Sequence, residues 1–253
     1  MRVAQEAAMR AASHIRALDR PDRAAWQLKG RRDFVTEVDL ACEEIIREIL
    51  VRETPDAVIV GEETSPDAEE ATLTWVVDPL DGTINFLHRY PAVGVSVAAV
   101  ADGELVAGVV VDVFRDGVYV ASRGDGASCE GQRLQVSDVA EPSQALIGTG
   151  FPFKVPELLP PYLRQFTEIL QRTSGIRRAG AASLDFVDLA LGRVDGFWEL
   201  YLAPWDVAAG ALIVREAGGF VSGLDGDERP LRHGGYVAGN PKIYQWLMEL
   251  LTA

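Results

Sequence analysis

The sequence predicts an α+β N-terminal half followed by an α/β C-terminal half, and three observations carry that reading. Two early segments place apolar residues at helical spacing, a series of short β-type runs punctuated by Asp-Gly follows, and helices then alternate with strands. At 253 residues the chain is long enough for one large core or two smaller ones. The change of pattern near residue 150 sets the expected boundary, with an α+β domain over 1–150 and an α/β domain over 151–253.

The first helix is expected over residues 1–18 and the second over 37–51, where Val38, Ala41, Cys42, Ile45, Ile46, Ile49 and Leu50 line one face. Strands are expected over 57–60, 73–78, 93–101, 105–113 and 118–121. Asp102-Gly103 and Asp116-Gly117 separate the last three, and Asp-Gly supplies the positive φ of tight hairpins, so these runs read as an antiparallel meander. Beyond Phe151 come helices over 156–173 and 182–191, a strand over 194–199, a helix over 207–217 and a strand over 220–222. Gly218-Gly219 stops the helix over 207–217, and Asn240-Pro241 opens a last one through an N-cap and a first-turn proline.

The composition, 48% hydrophobic and 25% charged, is that of a globular chain with a sizeable core. A net charge of -14 argues against non-specific binding to nucleic acid or anionic membrane. An anionic substrate would be repelled too, unless bound cations reverse the local field. Cys42 and Cys129 form neither a CxxC nor a Cys/His cluster, and no segment approaches a membrane span, so the expected setting is the reducing cytoplasm.

Candidate chemistry lies in acids that follow apolar runs. Gly61-Glu62-Glu63 ends one run, which alone reads as a solvated turn. Asp78-Pro79-Leu80-Asp81-Gly82-Thr83 follows another. The proline stiffens a turn in which both aspartates can face one point, and converging carboxylates with a backbone carbonyl suit a hard cation such as Mg²⁺. Gly82 and Thr83 open a segment whose free N–H groups would accept phosphate. Asp206 also reads as the N-cap of the helix over 207–217, and Thr36 with Asp39 has capping-box spacing. His14, His88 and His233 read as surface or packing residues, because neither Ser96 nor Ser183 sits in a nucleophile-elbow context. Gly148-Thr149-Gly150 falls short of a complete GxGxxG.

With GEE and WVVDPLDGTINF in place, and with Trp205-Asp206-Val207-Ala208-Ala209-Gly210 followed by Glu216-Ala217-Gly218-Gly219, the chain resembles the inositol monophosphatase family of magnesium-dependent, lithium-sensitive phosphatases. The resemblance spans essentially the whole chain. It implies a layered αβαβα sandwich of the sugar phosphatase type, with most metal ligands in the first domain and the second completing the site. It also implies two or three Mg²⁺ ions. Glu62, Asp78 and the Leu80 carbonyl would hold the first, Asp78, Asp81 and Asp206 the second, and Glu62 would share in a third. Asp39 would pair with Thr83 to orient the attacking water, with Glu62 also counted as catalytic. Asp81, Gly82, Thr83, Gly180, Ala181, Ala182, Glu199 and Asp206 would contact the substrate, and Lys29 resembles a lysine of a metal-site loop.

The implied reaction is hydrolysis of a small phosphate monoester, inositol 1-phosphate first, by a homodimer. Fructose 1,6-bisphosphate, histidinol phosphate, NADP and adenosine bisphosphate are the rival substrates on the same scaffold. A regulatory binding protein that retains the fold is the alternative of a different class.

Overall fold

The computed structural model describes residues 1–18, 27–30, 33–64, 71–229 and 232–252. Its first layer is a helix pair, α1 (Arg2–Ala17) and α2 (Glu37–Glu53). Five alanines and Ile15 form the buried stripe of α1, and side chains this small let it lie against both α2 and the sheet beneath. Between the two helices, β1 (Gln27–Gly30) and β2 (Asp33–Val35) make an antiparallel ribbon. The side chain of Lys29 lies outside the described residues.

The second layer is a seven-stranded sheet whose order follows the sequence: β3 (Val58–Gly61), β4 (Leu73–Asp81), β5 (Gly94–Ala101), β6 (Glu104–Asp112), β7 (Gly117–Ser122), β8 (Gly126–Cys129) and β9 (Gln132–Arg133). Only β3 runs parallel to its neighbour, and the rest is the expected meander. Asp102 and Gly103 both take positive φ in the β5–β6 turn, whereas in the next turn only Asp116 does, because Gly117 already belongs to β7. The one-turn helix α3 (Thr83–Leu87) leaves the end of β4. Strands β8 and β9, short and partly polar, lack the alternation that would have marked them in the sequence.

A five-stranded sheet forms the fourth layer, in the order β11 (Gly175–Arg177), β10 (Leu146–Thr149), β12 (Gly196–Leu202), β14 (Gly234–Gly239), β13 (Phe220–Gly223). Helices α5 (Ala182–Ala190) and α6 (Pro204–Glu216) lie between the two sheets. Helices α4 (Leu159–Arg172) and α7 (Pro241–Leu251) cover the outer face through Tyr162, Ile169, Ile243 and Leu247. The result is the αβαβα sandwich that the resemblance implies.

Packing on both sides explains why α6 is apolar all round, from Val207 through Val214. Two glycines make its approach possible. A Cβ at Gly108 would stand 2.9 Å from the Ala209 carbonyl oxygen, and one at Gly210 would stand 2.6 Å from Phe186 Cβ. Several sequence expectations are corrected in detail. The segment over 156–173 is a 3-10 turn (Pro156–Leu158) followed by α4, and the strand placed over 194–199 is β12, which runs on to Leu202. Helix α6 begins at Pro204, so Asp206 occupies its third position and is not the N-cap. Proline starts that helix because its missing N–H is not needed in the first turn.

Candidate active site

The C-terminal end of β4 is where the first acids meet. In an unbroken strand, residues three apart face opposite sides. Here Asp78 pairs with Ser96 and Asp81 with Gly94, so the register shifts across Pro79-Leu80. Proline has no N–H to give the ladder, and the Leu80 N–H turns instead to Asp78 Oδ1 at 3.0 Å. That irregularity lets Asp78 and Asp81 open onto the same cavity, of about 320 Å³.

Glu62 reaches the cavity from the end of β3, whose parallel pairing with β4 is prolonged by a bond from Glu62 N to the Val77 carbonyl at 3.3 Å. Asp206 reaches it from the first turn of α6, where its Oδ2 accepts the Ala203 N–H at 2.7 Å. Asp81 is tied to the other half of the chain, since its Oδ2 accepts both the N–H of Ser183 at 2.7 Å and its hydroxyl at 2.5 Å. Gly94 is needed for this contact, because a Cβ there would stand 2.5 Å from Ser183 Oγ.

Thr83, at the start of α3, directs its hydroxyl toward Asp39 Oδ1 at 3.0 Å, with the Leu80 carbonyl 3.3 Å away. Asp39 Oδ2 accepts the Thr36 N–H at 2.9 Å and the Thr36 hydroxyl at 2.5 Å, completing the capping box of α2. One oxygen of Asp39 therefore serves the helix cap and the other meets the Thr83 hydroxyl. Asn85 Nδ2 lies within 2.8 to 3.1 Å of the carbonyls of Ala92, Ala179 and Gly180, which fastens α3 to the loop before α5.

Of the site residues singled out in the sequence, Glu62, Asp78, Leu80, Asp81, Gly82, Thr83, Gly180, Ala181, Ala182, Glu199 and Asp206 line this cavity, Asp39 stands behind Thr83, and the Lys29 side chain lies outside the described residues. Glu199 extends from β12 into room left by Gly150, since a Cβ at Gly150 would overlap its carboxylate. Asp185, which ends the Gly180-Ala181-Ala182-Ser183-Leu184-Asp185 stretch, also lines the cavity, as do Arg178, Lys154 and the aromatic rim of Phe151 and Phe153, which no sequence motif marks. Arg178 stacks over Phe151, 5.1 Å from the ring centre. His233 is at the rim as well, packed as an aromatic with its ring 5.5 Å from Trp205 and 5.9 Å from Tyr201.

The electrostatics are those of a carboxylate cluster short of positive charge. Burial, then Glu62, Asp81 and Asp206, hold the Asp78 carboxyl well above the usual range. Burial also raises Asp81, against the bonds from Ser183. Asp206 retains some exposure to the cavity, yet burial followed by the charges of Glu62 and Asp81 pushes it up to about 8. Glu199 and Asp185 are likewise raised, first by burial and then by neighbouring carboxylates, with Arg178 opposing.

Among the described residues, no three His, Cys, Asp or Glu side chains already form a closed metal-holding group. The donor chemistry nevertheless fits a hard divalent cation. Four carboxylates and the Leu80 carbonyl share one cavity, and their mutual repulsion is what such an ion would relieve.

The family model for the inositol monophosphatase family matches residues 1–253. A relative from Pseudomonas aeruginosa named Nus factor SuhB is 45% identical over 242 residues, covering 94% of this chain and 89% of that one. The crystal structure of the extragenic suppressor protein SuhB from Bartonella henselae superposes with a TM-score of 0.91 at 38% identity, covering 99% of this chain and 97% of that one. The inositol monophosphatase from Anabaena superposes with a TM-score of 0.86 at 35% identity, covering 98% and 93%.

Proposed function

The chain belongs to the inositol monophosphatase family, and from that premise we propose that it hydrolyses a small phosphate monoester with Mg²⁺, inositol 1-phosphate being the leading substrate. One observation carries the reading: Glu62, Asp78, Asp81 and Asp206, from the ends of β3 and β4 and the first turn of α6, open onto a single cavity beside the Thr83–Asp39 pair. Glu62, Asp78 and the Leu80 carbonyl would hold one ion, Asp78, Asp81 and Asp206 a second, and Glu62 would share in a third. Those residues would hold Mg²⁺, and the chemistry it would supply is charge neutralisation at phosphate and activation of water.

The chain's own residues do the rest. Asp39 Oδ1 takes the Thr83 hydroxyl proton, which leaves a Thr83 lone pair to accept a proton of the attacking water. Asp39 is itself fixed by the Thr36 cap, so the pair is oriented before substrate arrives. The first-turn amides of Gly82 and Thr83 face the phosphate. Attack in line with the ester oxygen then needs placement and charge neutralisation more than covalent help from the protein.

Glu199 and Asp185 present carboxylates to hydroxyls of the leaving group, and Gly180, Ala181 and Ala182 leave space for its ring. Two carboxylates suit a leaving group of hydroxyls and repel the further phosphate that fructose 1,6-bisphosphate, NADP and adenosine bisphosphate each carry, which leaves histidinol phosphate, with its cationic amine, as the main rival. The test is a kcat/KM panel over these five esters. An inositol 1-phosphate value below that of any rival would overturn the substrate assignment.

A second reading, a factor that works by binding, is favoured by the name Nus factor carried by the Pseudomonas relative. Asp81→Asn separates the two, because it should end hydrolysis while leaving binding to a macromolecular partner unchanged. Homodimer assembly, which sedimentation equilibrium tests, is part of the proposal.

A further inference from the structure

Helix α2 carries three polar side chains one turn apart, Asp39, Glu43 and Arg47, and positions i, i+4 and i+8 share a helix face. Each reaches a segment outside the helix. Asp39 meets Thr83 on one side of the cavity. Arg47 Nη2 donates to Thr64 Oγ1 at 3.0 Å on the other. Between them Glu43, only 1% exposed, accepts the Glu63 N–H at 2.8 Å, the Thr64 N–H at 3.0 Å and the Thr64 hydroxyl at closer range.

A carboxylate this buried is rarely kept unless its oxygens are fully used. These are spent on the single turn that begins with Glu62. The preceding residue is fitted to the grip as well. A Cβ at Gly61 would stand 2.7 Å from Glu43 Cδ, Oε1 and Oε2, so any larger residue there would drive the carboxylate off the turn.

We propose that Glu43 is a positioning residue for Glu62, clamping the Glu63 and Thr64 amides so that the Glu62 carboxylate is aimed at Asp78. What Glu62 does once aimed rests on the magnesium reading above. The bond from Glu62 N to Val77 fixes the start of the turn, and Glu43 fixes its continuation. One rigid helix thereby sets the distance between the two walls of the site, through Asp39 to the Thr83 wall and through Glu43 to the Glu62 wall.

Glu43→Gln tests this, since it exchanges one acceptor oxygen for a donor amide facing the same N–H groups. In metal-free protein, hydrogen exchange at the Glu63 and Thr64 amides should quicken by at least about tenfold while the core of α2 stays protected. Calorimetry should show Mg²⁺ affinity weakened about ten- to a hundredfold, the usual cost of losing a group that orients a ligand. At saturating Mg²⁺, kcat should return to within about threefold of wild type, a split that general destabilisation would not give. Gly61→Ala should reproduce all three effects and serves if the first variant fails to fold.

Unchanged Mg²⁺ affinity in both folded variants overturns the proposal, as does a fall in kcat that saturating Mg²⁺ leaves in place. A wild-type protein that binds no Mg²⁺ would instead overturn the magnesium reading. The exchange result would then decide alone whether Glu43 holds the turn.

Discussion

The Thr83 hydroxyl lies 3.0 Å from Asp39 Oδ1, and the other oxygen of that carboxylate caps α2. One side chain therefore serves a helix terminus and the proposed water-orienting pair, two roles that its two oxygens keep separate. The arrangement joins residues 44 positions apart and makes the pair separable from the metal ligands by mutation.

Asp39→Asn and Thr83→Ala should each lower kcat by about a hundredfold or more, within the range of positioned proton acceptors, with Mg²⁺ affinity nearly unchanged. The double variant should be little worse than either single one, because both break the same proton path. Steady-state kinetics with calorimetric Mg²⁺ titration checks this. Asp39→Asn should also cost about 1 kcal/mol of stability through the cap, whereas Thr83→Ala should cost less.

The raised carboxyls give a pH dependence of definite sign. A folded-state pKa above the unfolded value contributes stability that is complete below the unfolded pKa and is lost as pH rises through the folded one. For Asp206 those limits are the ordinary 3.8 and about 8. The Tm of metal-free protein should therefore fall as pH rises across that window, and Asp206→Asn should flatten the decline. Mg²⁺ should raise Tm more at pH 8 than at pH 5, because at the lower pH it must displace bound protons. A stabilisation by Mg²⁺ that grew toward acid pH would contradict the cluster's electrostatics.

Substrate choice should respond to Asp185 and Glu199 separately from the chemical step. Asp185→Asn should reduce kcat/KM for inositol 1-phosphate about tenfold, the order expected for a lost substrate hydrogen bond, while sparing p-nitrophenyl phosphate, whose leaving group has no such hydroxyl. Gly150→Ala should act in the same direction, since the new methyl would displace Glu199. An equal loss on both substrates would assign these residues a structural role only.

The two cysteines should differ sharply toward thiol reagents. Burial and the charge of Asp39 push the Cys42 thiol up to about 12, whereas Cys129 is partly exposed. Only the thiolate reacts. Native protein at pH 8 should label at Cys129 alone, and both should label after denaturation, as peptide mass spectrometry would show.

Much of this architecture is legible in the sequence wherever periodicity is strong. Helices α1 and α2 and strands β4 to β7 declare themselves through apolar spacing and Asp-Gly turns. Strands β10, β11 and β14 do not, because they are short and rich in glycine, and their pairing depends on partners far along the chain. Within the site, the motif residues could be named from their order, but their convergence depends on the β4 register shift and on the Ser183–Asp81 bonds. Asp185 and Arg178 belong to no repeating pattern, and only the fold brings them beside Glu199. Asp206 illustrates the converse. The sequence marks it as an N-cap, but Pro204 starts the helix two residues earlier, and Asp206 takes the Ala203 N–H from the third helical position instead.

In the proposed reaction the four carboxylates hold the magnesium with which this cavity hydrolyses a phosphate ester. Phosphate release from inositol 1-phosphate, followed with Mg²⁺ and with a chelator in wild type and Asp81→Asn, tests it most directly. Turnover is expected only in wild type with Mg²⁺. Turnover that survives the chelator, or that persists in Asp81→Asn, would contradict it.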